Sequence, residues 1–172
     1  ELENTKGVKK IWDEILKNNK IIIGHNLAID ILFCYSHFGE NLPENYEDFK
    51  TMVRKSFGGL YDTKILYNNL LPKEETKYDS SLEAIYKKLF DKYKDSINVN
   101  IPNGFNDYIG KDNNSCSEFH QADFDAFITG LVYCYLSNNL IDKNNLEEEL
   151  EKYNWKIFFM KSLYNCFYIQ KN

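Results

Sequence analysis

Positive charge, paired cysteines and long hydrophobic runs are what this sequence is short of. Its formal net charge of −5 excludes a broadly basic nucleic-acid-coating surface and leaves room only for a local site that takes one strand end. Arg54 is the only arginine, and the abundance of Asn and Lys reads as AT-rich coding bias rather than chemistry. The cysteines Cys34, Cys116, Cys134 and Cys166 never stand at Cys-x-x-Cys spacing, which argues against a zinc site. Cys34 and Cys134 lie in apolar helical patterns and read as reduced core thiols. Nothing resembles a signal peptide or a membrane span, so an intracellular, reducing compartment is expected. The chain starts at Glu1 without methionine and reads as a piece of a longer protein.

What is present suffices for one domain over residues 1–172: 172 residues with 16 % aromatics, mostly Phe and Tyr. Val8, Ile11, Trp12, Ile15 and Leu16 share a helical face within residues 7–18. "KIIIGHN" is continuously apolar and β-branched, the pattern of a strand buried on both faces of a parallel sheet. "LAIDILFCYSHFG" reads as a helix ending near Gly39, residues 45–56 as a short helix, and "GGLYDTKIL" as a second strand. "DSSLEAIYKKLF" opens on cap residues and continues as a helix. Polar residues 93–117 read as a long loop. "HQADFDAFITGLVYCYLSNNL" is a further helix, with Ala126 and Gly130 spaced for close packing. A charged helix near 142–152 precedes "WKIFFMKSLYNCFYI", read as apolar helix with a terminal strand. The alternation points to an α/β fold.

Two carboxylates stand in apolar surroundings. Asp30 falls between Leu27, Ile31 and Cys34 on what reads as the buried side of a helix. A buried carboxylate is costly unless paired, hydrogen-bonded or bound to metal. It is either a first-turn acid held by backbone N–H groups and the helix dipole, or a metal ligand at the end of a central strand. Asp125 sits on a second apolar helix, with His120 five residues before it. Five residues subtend about 500° on a helix, so the two share a site only if His120 lies on a turn before the helix. There, a carboxylate holding a hard cation beside a histidine suits general-base chemistry; otherwise His120 is an exposed helix-start residue. Asp123 reads as a first-turn acid.

"IIIGHNLAIDILFCYSHF", "LYDTKIL", "SSLEAIYKKL" and "HQADFDAFITGL" resemble, in order and rough spacing, the poly(A)-specific ribonucleases. These deadenylases belong to the DEDD exonucleases with a catalytic histidine. The resemblance covers most of residues 8–140. It implies a ribonuclease H-like mixed sheet flanked by helices, with four acidic ligands for two Mg²⁺ ions, for which Mn²⁺ can substitute. By similarity Asp30 and Asp125 are metal-binding catalytic acids and His120 is the general base. Asn26 and Lys64 match positions that contact RNA. From the residues alone, Asn26 reads as a helix N-cap and Lys64 as a solvent-facing strand residue. Asp62, in the family's Asp-Thr-Lys element, reads as structural rather than metal-binding.

One element of the family is missing. Its first motif, Asp-x-Glu on a central strand, supplies two of the four acids, and no apolar run here contains it. The chain therefore resembles the later part of the nuclease domain, without its first strands. The expectation is a 3′-exoribonuclease releasing 5′-AMP from poly(A) once joined to its upstream segment, and near-inactivity of this chain alone. An exposed central strand is expected to pair with that segment or with a second copy. The rivals are an exonuclease trimming small non-coding RNAs and a degenerate module that binds RNA or acts as a scaffold. RNA is the expected partner, with no membrane contact, in cytoplasm or nucleus.

Overall fold

The computed structural model describes residues 2–39, 41–77, 79–96, 100, 108, 121–160 and 166–169. It divides into two compact units, residues 1–65 with 153–172, and residues 66–152. The elements in chain order are α1 (Leu2–Asn18), β1 (Ile21–Gly24), α2 (Ala28–Phe38), α3 (Tyr46–Ser56), β2 (Gly59–Asp62), α4 (Thr63–Leu70), α5 (Lys73–Thr76), α6 (Leu82–Tyr93), α7 (Ala122–Leu140), α8 (Leu146–Glu151), β3 (Lys156–Phe158) and β4 (Cys166–Tyr168).

The first unit is built on a mixed sheet in the order β1-β2-β3-β4. β1 and β2 pair in parallel, with Ile21 opposite Gly59 and Gly24 opposite Asp62. β3 runs parallel to β2, and β4 returns antiparallel to β3. All four residues of β2 are buried. Two glycines make the β1–β2 geometry possible. A Cβ at Gly24 would come within 2.1 Å of the Leu27 side chain, and one at Gly58 within 2.5 Å of the Asn19 carbonyl. Trp12 of α1 packs edge-on against Tyr35 of α2 and Phe57, with centroids 5.3 and 6.0 Å away. Leu27, Ala28, Ile31, Val53, Leu60 and Ile157 extend this core.

The second unit holds α5 to α8. Ser81 caps α6 by accepting the Ala84 N–H at 3.3 Å. Ile85, Tyr86 and Leu89 of α6 are buried, as are Phe124, Ile128, Leu131, Val132, Tyr135 and Leu136 of α7. These two helices pack together.

Several elements differ from the sequence-based expectation. "TKIL" is helical, because Asp62 ends β2 by turning its carboxylate back onto the Lys64 N–H at 3.0 Å, an Asx turn that opens α4. Lys64 is accordingly a helix-start residue. Residues 156–158 form a strand rather than apolar helix, with only Ile157 of the three buried; periodicity does not separate the two for so short a run. β1 is not buried on both faces. It is an edge strand among the described residues, and Ile21 and Ile23 are 57 % and 38 % exposed. A Cβ at Gly130 meets nothing within 4 Å, so close helix packing there is absent among the described residues. Most of the 93–117 segment, including Cys116, lies outside them.

Candidate functional site

Three parallel strands end together at Gly24, Asp62 and Phe158, the end at which open α/β sheets build sites. The Asp62 carboxylate occupies this place, 1 % exposed. Its Oδ1 accepts the N–H of Asn26 at 2.9 Å and of Lys64 at 3.0 Å. Its Oδ2 accepts the N–H of Leu27 at 3.0 Å and of Phe158 at 2.8 Å. One side chain thus joins the β1–α2 turn, the start of α4 and the end of β3. Burial pushes the Asp62 carboxyl above the usual carboxylate range, while the four N–H donors pull it down. With both oxygens committed to backbone, Asp62 has the structural role expected of it.

The turn that Asp62 holds contains Asn26 in the left-handed region, φ 59°. Asn tolerates that region better than most residues. The N-cap position of α2 is Leu27, which makes no side-chain cap bond. The N-cap reading of Asn26 is therefore wrong: the N-cap is Leu27, and its N–H and that of Asn26 are met by Asp62 from another strand.

Beneath the turn, Thr63 is fully buried and its Oγ1 donates to the Gly24 carbonyl at 3.1 Å. His25 Nδ1 lies 2.9 Å from Thr63 Oγ1. The hydroxyl proton is already committed, so Nδ1 is the donor of that pair. His25 and Thr63 were not singled out in the sequence, although both sit inside its quoted motifs. Their signal is a neighbour relation across 38 residues.

Asp30 lies in the first turn of α2, but not on its buried face. That face is Ala28, Ile31 and Tyr35; Asp30 is exposed, and so are Ile29 and Phe33. At about 100° per residue, Asp30 stands about 200° from Ala28. Leu27 and Ile31, which made it look buried, are in the core and Cys34 is half-buried, but Asp30 lies off that face, where Ile29 and Phe33 are also exposed. Partial desolvation still pushes the Asp30 carboxyl above its usual range, opposed by a backbone hydrogen bond. Burial, and then the charge of Asp30, push the Cys34 thiol up one turn away.

Lys64 is half-buried, with Nζ 4.7 Å from the Phe158 ring centroid. The structure therefore brings Asn26, Lys64, Asp62 and Phe158 to one strand end. Asp125 belongs to the other unit, in the first turn of α7. It is half-buried; its N–H donates to Gln121 at 2.8 Å and its carbonyl accepts from Thr129 Oγ1 at 2.7 Å. Asp123 accepts from the Tyr108 hydroxyl at 2.5 Å, which holds its carboxyl below the usual range. His120 lies outside the described residues. Among the described residues no three His, Cys, Asp or Glu side chains are grouped to hold a metal ion. Cys34, Cys134 and Cys166 are free thiols. No helix of the described residues is long and apolar enough to cross a membrane.

The family model for the CAF1 family ribonucleases matches residues 1–133, which contain Asn26, Asp30, Lys64, His120 and Asp125. The chain is 31 % identical over 140 residues to the poly(A)-specific ribonuclease of Danio rerio, covering 81 % of this chain and 20 % of that protein. It is 30 % identical over 155 residues to a 3′-5′ exoribonuclease of Caenorhabditis elegans, covering 86 % and 26 %. The Arabidopsis thaliana poly(A)-specific ribonuclease is 29 % identical over 171 residues, covering 88 % and 25 %. The chain thus spans only a fifth to a quarter of these relatives. With most of its length matched by one family model, this chain belongs to the CAF1 family of ribonucleases.

Proposed function

We propose that this chain is the later part of the nuclease domain of a 3′-5′ exoribonuclease that shortens poly(A) tails and releases 5′-AMP. The observation that carries the reading is the family match over residues 1–133, which spans every candidate site residue. In it, Asn26 and Lys64 hold the RNA strand end, on a turn and a helix start that Asp62 fixes. His120 takes the proton of the attacking water.

The donor chemistry fits Mg²⁺, or Mn²⁺ in its place: Asp30 offers exposed carboxylate oxygen and Asp125 a second carboxylate. When bound, two such ions polarise the phosphodiester and favour ionisation of the attacking water. Asp30 and Asp125 supply half of the acids, and an Asp-x-Glu motif in an upstream segment supplies the others. The open edge of β1, with Ile21 and Ile23 exposed, supports an upstream strand completing a ribonuclease H-like sheet there. A second copy is the other candidate for that edge. On this reading residues 1–172 are one partial nuclease domain of an intracellular enzyme working in cytoplasm or nucleus.

The test is digestion of 5′-labelled A-tailed and U-tailed RNA, and of A-tailed DNA, by the longer protein with Mg²⁺. Stepwise loss of the A-tail, abolished by Asp125→Ala, is the expected result. Equal trimming of both RNA tails would replace the deadenylase with a non-coding RNA trimming enzyme. RNA binding without cleavage would replace it with a degenerate binding module.

A further inference from the structure

Phe158 carried no signal in the sequence, yet it closes the strand end that holds Lys64. Asp62 binds it across 96 residues of chain. The same carboxylate takes the Lys64 N–H on Oδ1 and the Phe158 N–H on Oδ2, so both backbones are fixed to one buried anchor. From these anchors the side chains meet, with the ammonium 4.7 Å from the ring centroid. Both remain half-buried, so neither is lost to the core. Among the described residues, Lys64 makes no ion pair. A lysine has a flexible four-carbon stem and strongly hydrated donors. An aromatic face limits where the ammonium goes and leaves its outward donors for an anion.

We propose that Phe158 is a substrate-positioning residue: its ring holds the Lys64 ammonium where it meets a backbone phosphate of the RNA strand. This rests on the reading of Lys64 as an RNA contact. Phe158 touches the cation rather than the scissile bond, so it governs binding more than turnover.

The experiment measures the Kd of 5′-labelled A-tailed RNA without Mg²⁺, and kcat with it, for the full-length protein carrying this chain. Phe158→Leu keeps the backbone N–H to Asp62 and removes only the ring. It is expected to raise Kd about two- to fivefold with kcat nearly unchanged. Phe158→Tyr is expected to bind as wild type. Lys64→Ala is expected to raise Kd further, lower the salt dependence by about one counterion, and cancel any added effect of Phe158→Leu. If Lys64→Ala leaves Kd and its salt dependence unchanged, the underlying reading of Lys64 fails. If Lys64→Ala weakens binding while Phe158→Leu does not, or the two effects add independently, the positioning role is overturned and the reading stands. A Phe158→Leu protein with lower thermal stability and kcat but unchanged Kd would also overturn it, as a purely structural residue.

Discussion

The two compact units bury polar groups in opposite ways. In the first, two buried polar side chains tie segments distant in sequence: Asp62 binds the backbone of residues 26, 27, 64 and 158, and Asn154 accepts the Leu60 N–H at 3.0 Å. In the second, the buried hydroxyls of Thr129 and Ser137 bond the carbonyl one turn back, at 2.7 and 2.8 Å, and among the described residues they make no long-range tie. Apolar packing of α6 on α7 holds that unit together. Long-range polar ties aim particular atoms, and the first unit has them at the turn and the helix start that carry Asn26 and Lys64. Packed helices supply a platform, and Asp125 stands on it in the first turn of α7.

This contrast breaks most visibly at Asp62. Asp62→Ala leaves four backbone N–H groups without their acceptor and is expected to cost about 4 kcal/mol. Asp62→Asn keeps one acceptor oxygen and sets an NH₂ against two donors, so its loss is expected to be smaller but clear. Both tryptophans, Trp12 and Trp155, belong to the first unit, so urea unfolding followed by tryptophan fluorescence reads it. Unfolding midpoints of the two variants that match wild type would remove the anchor role.

Next in size is Leu89→Ala, a fully buried α6 side chain in the helical unit, expected to cost about 3 kcal/mol through the cavity it leaves. Far-UV circular dichroism should register that loss before tryptophan fluorescence does. Coincident midpoints by the two probes would show that the units unfold as one and would dissolve the comparison.

The smallest effect is alkaline. Burial, and then the neighbouring Tyr135, push the Tyr86 phenol up to about 12, above the ordinary tyrosine value of about 10. The unfolded chain ionises first, so this group's stabilisation is whole below about pH 10 and is lost as pH rises towards the folded value. Tyr86→Phe should flatten that alkaline limb in the circular dichroism signal; an unchanged slope would mean that Tyr86 ionises at its ordinary pH.

Local signals in the sequence account for much of the fold. Gly39 after an apolar period, Asn45 before a charged one, and Ser81 as a cap mark α2, α3 and α6 within a residue or two. The misread stretches have a common cause. "TKIL" is helical because of where the Asp62 side chain turns, and "KIF" is a strand because β2 lies beside it. Neither fact is written in the local pattern. At the site, Asn26, Lys64 and Asp62 were legible through their motifs, whereas Phe158 is joined to them only by the folded chain. The exposure of Asp30 was hidden for a different reason: Leu27 and Ile31 are buried as read, but α2 is apolar on its outer side too, where Asp30 stands with the exposed Ile29 and Phe33.

On the proposed function this chain holds half of a nuclease site. The most direct measurement compares Mg²⁺-dependent digestion of 5′-labelled A-tailed RNA by this chain alone with digestion by the same chain joined to its upstream segment. Near-absence of activity in the first and stepwise tail shortening in the second are expected. Comparable activity in both would contradict the account, because the acids assigned to the upstream segment would then not be needed.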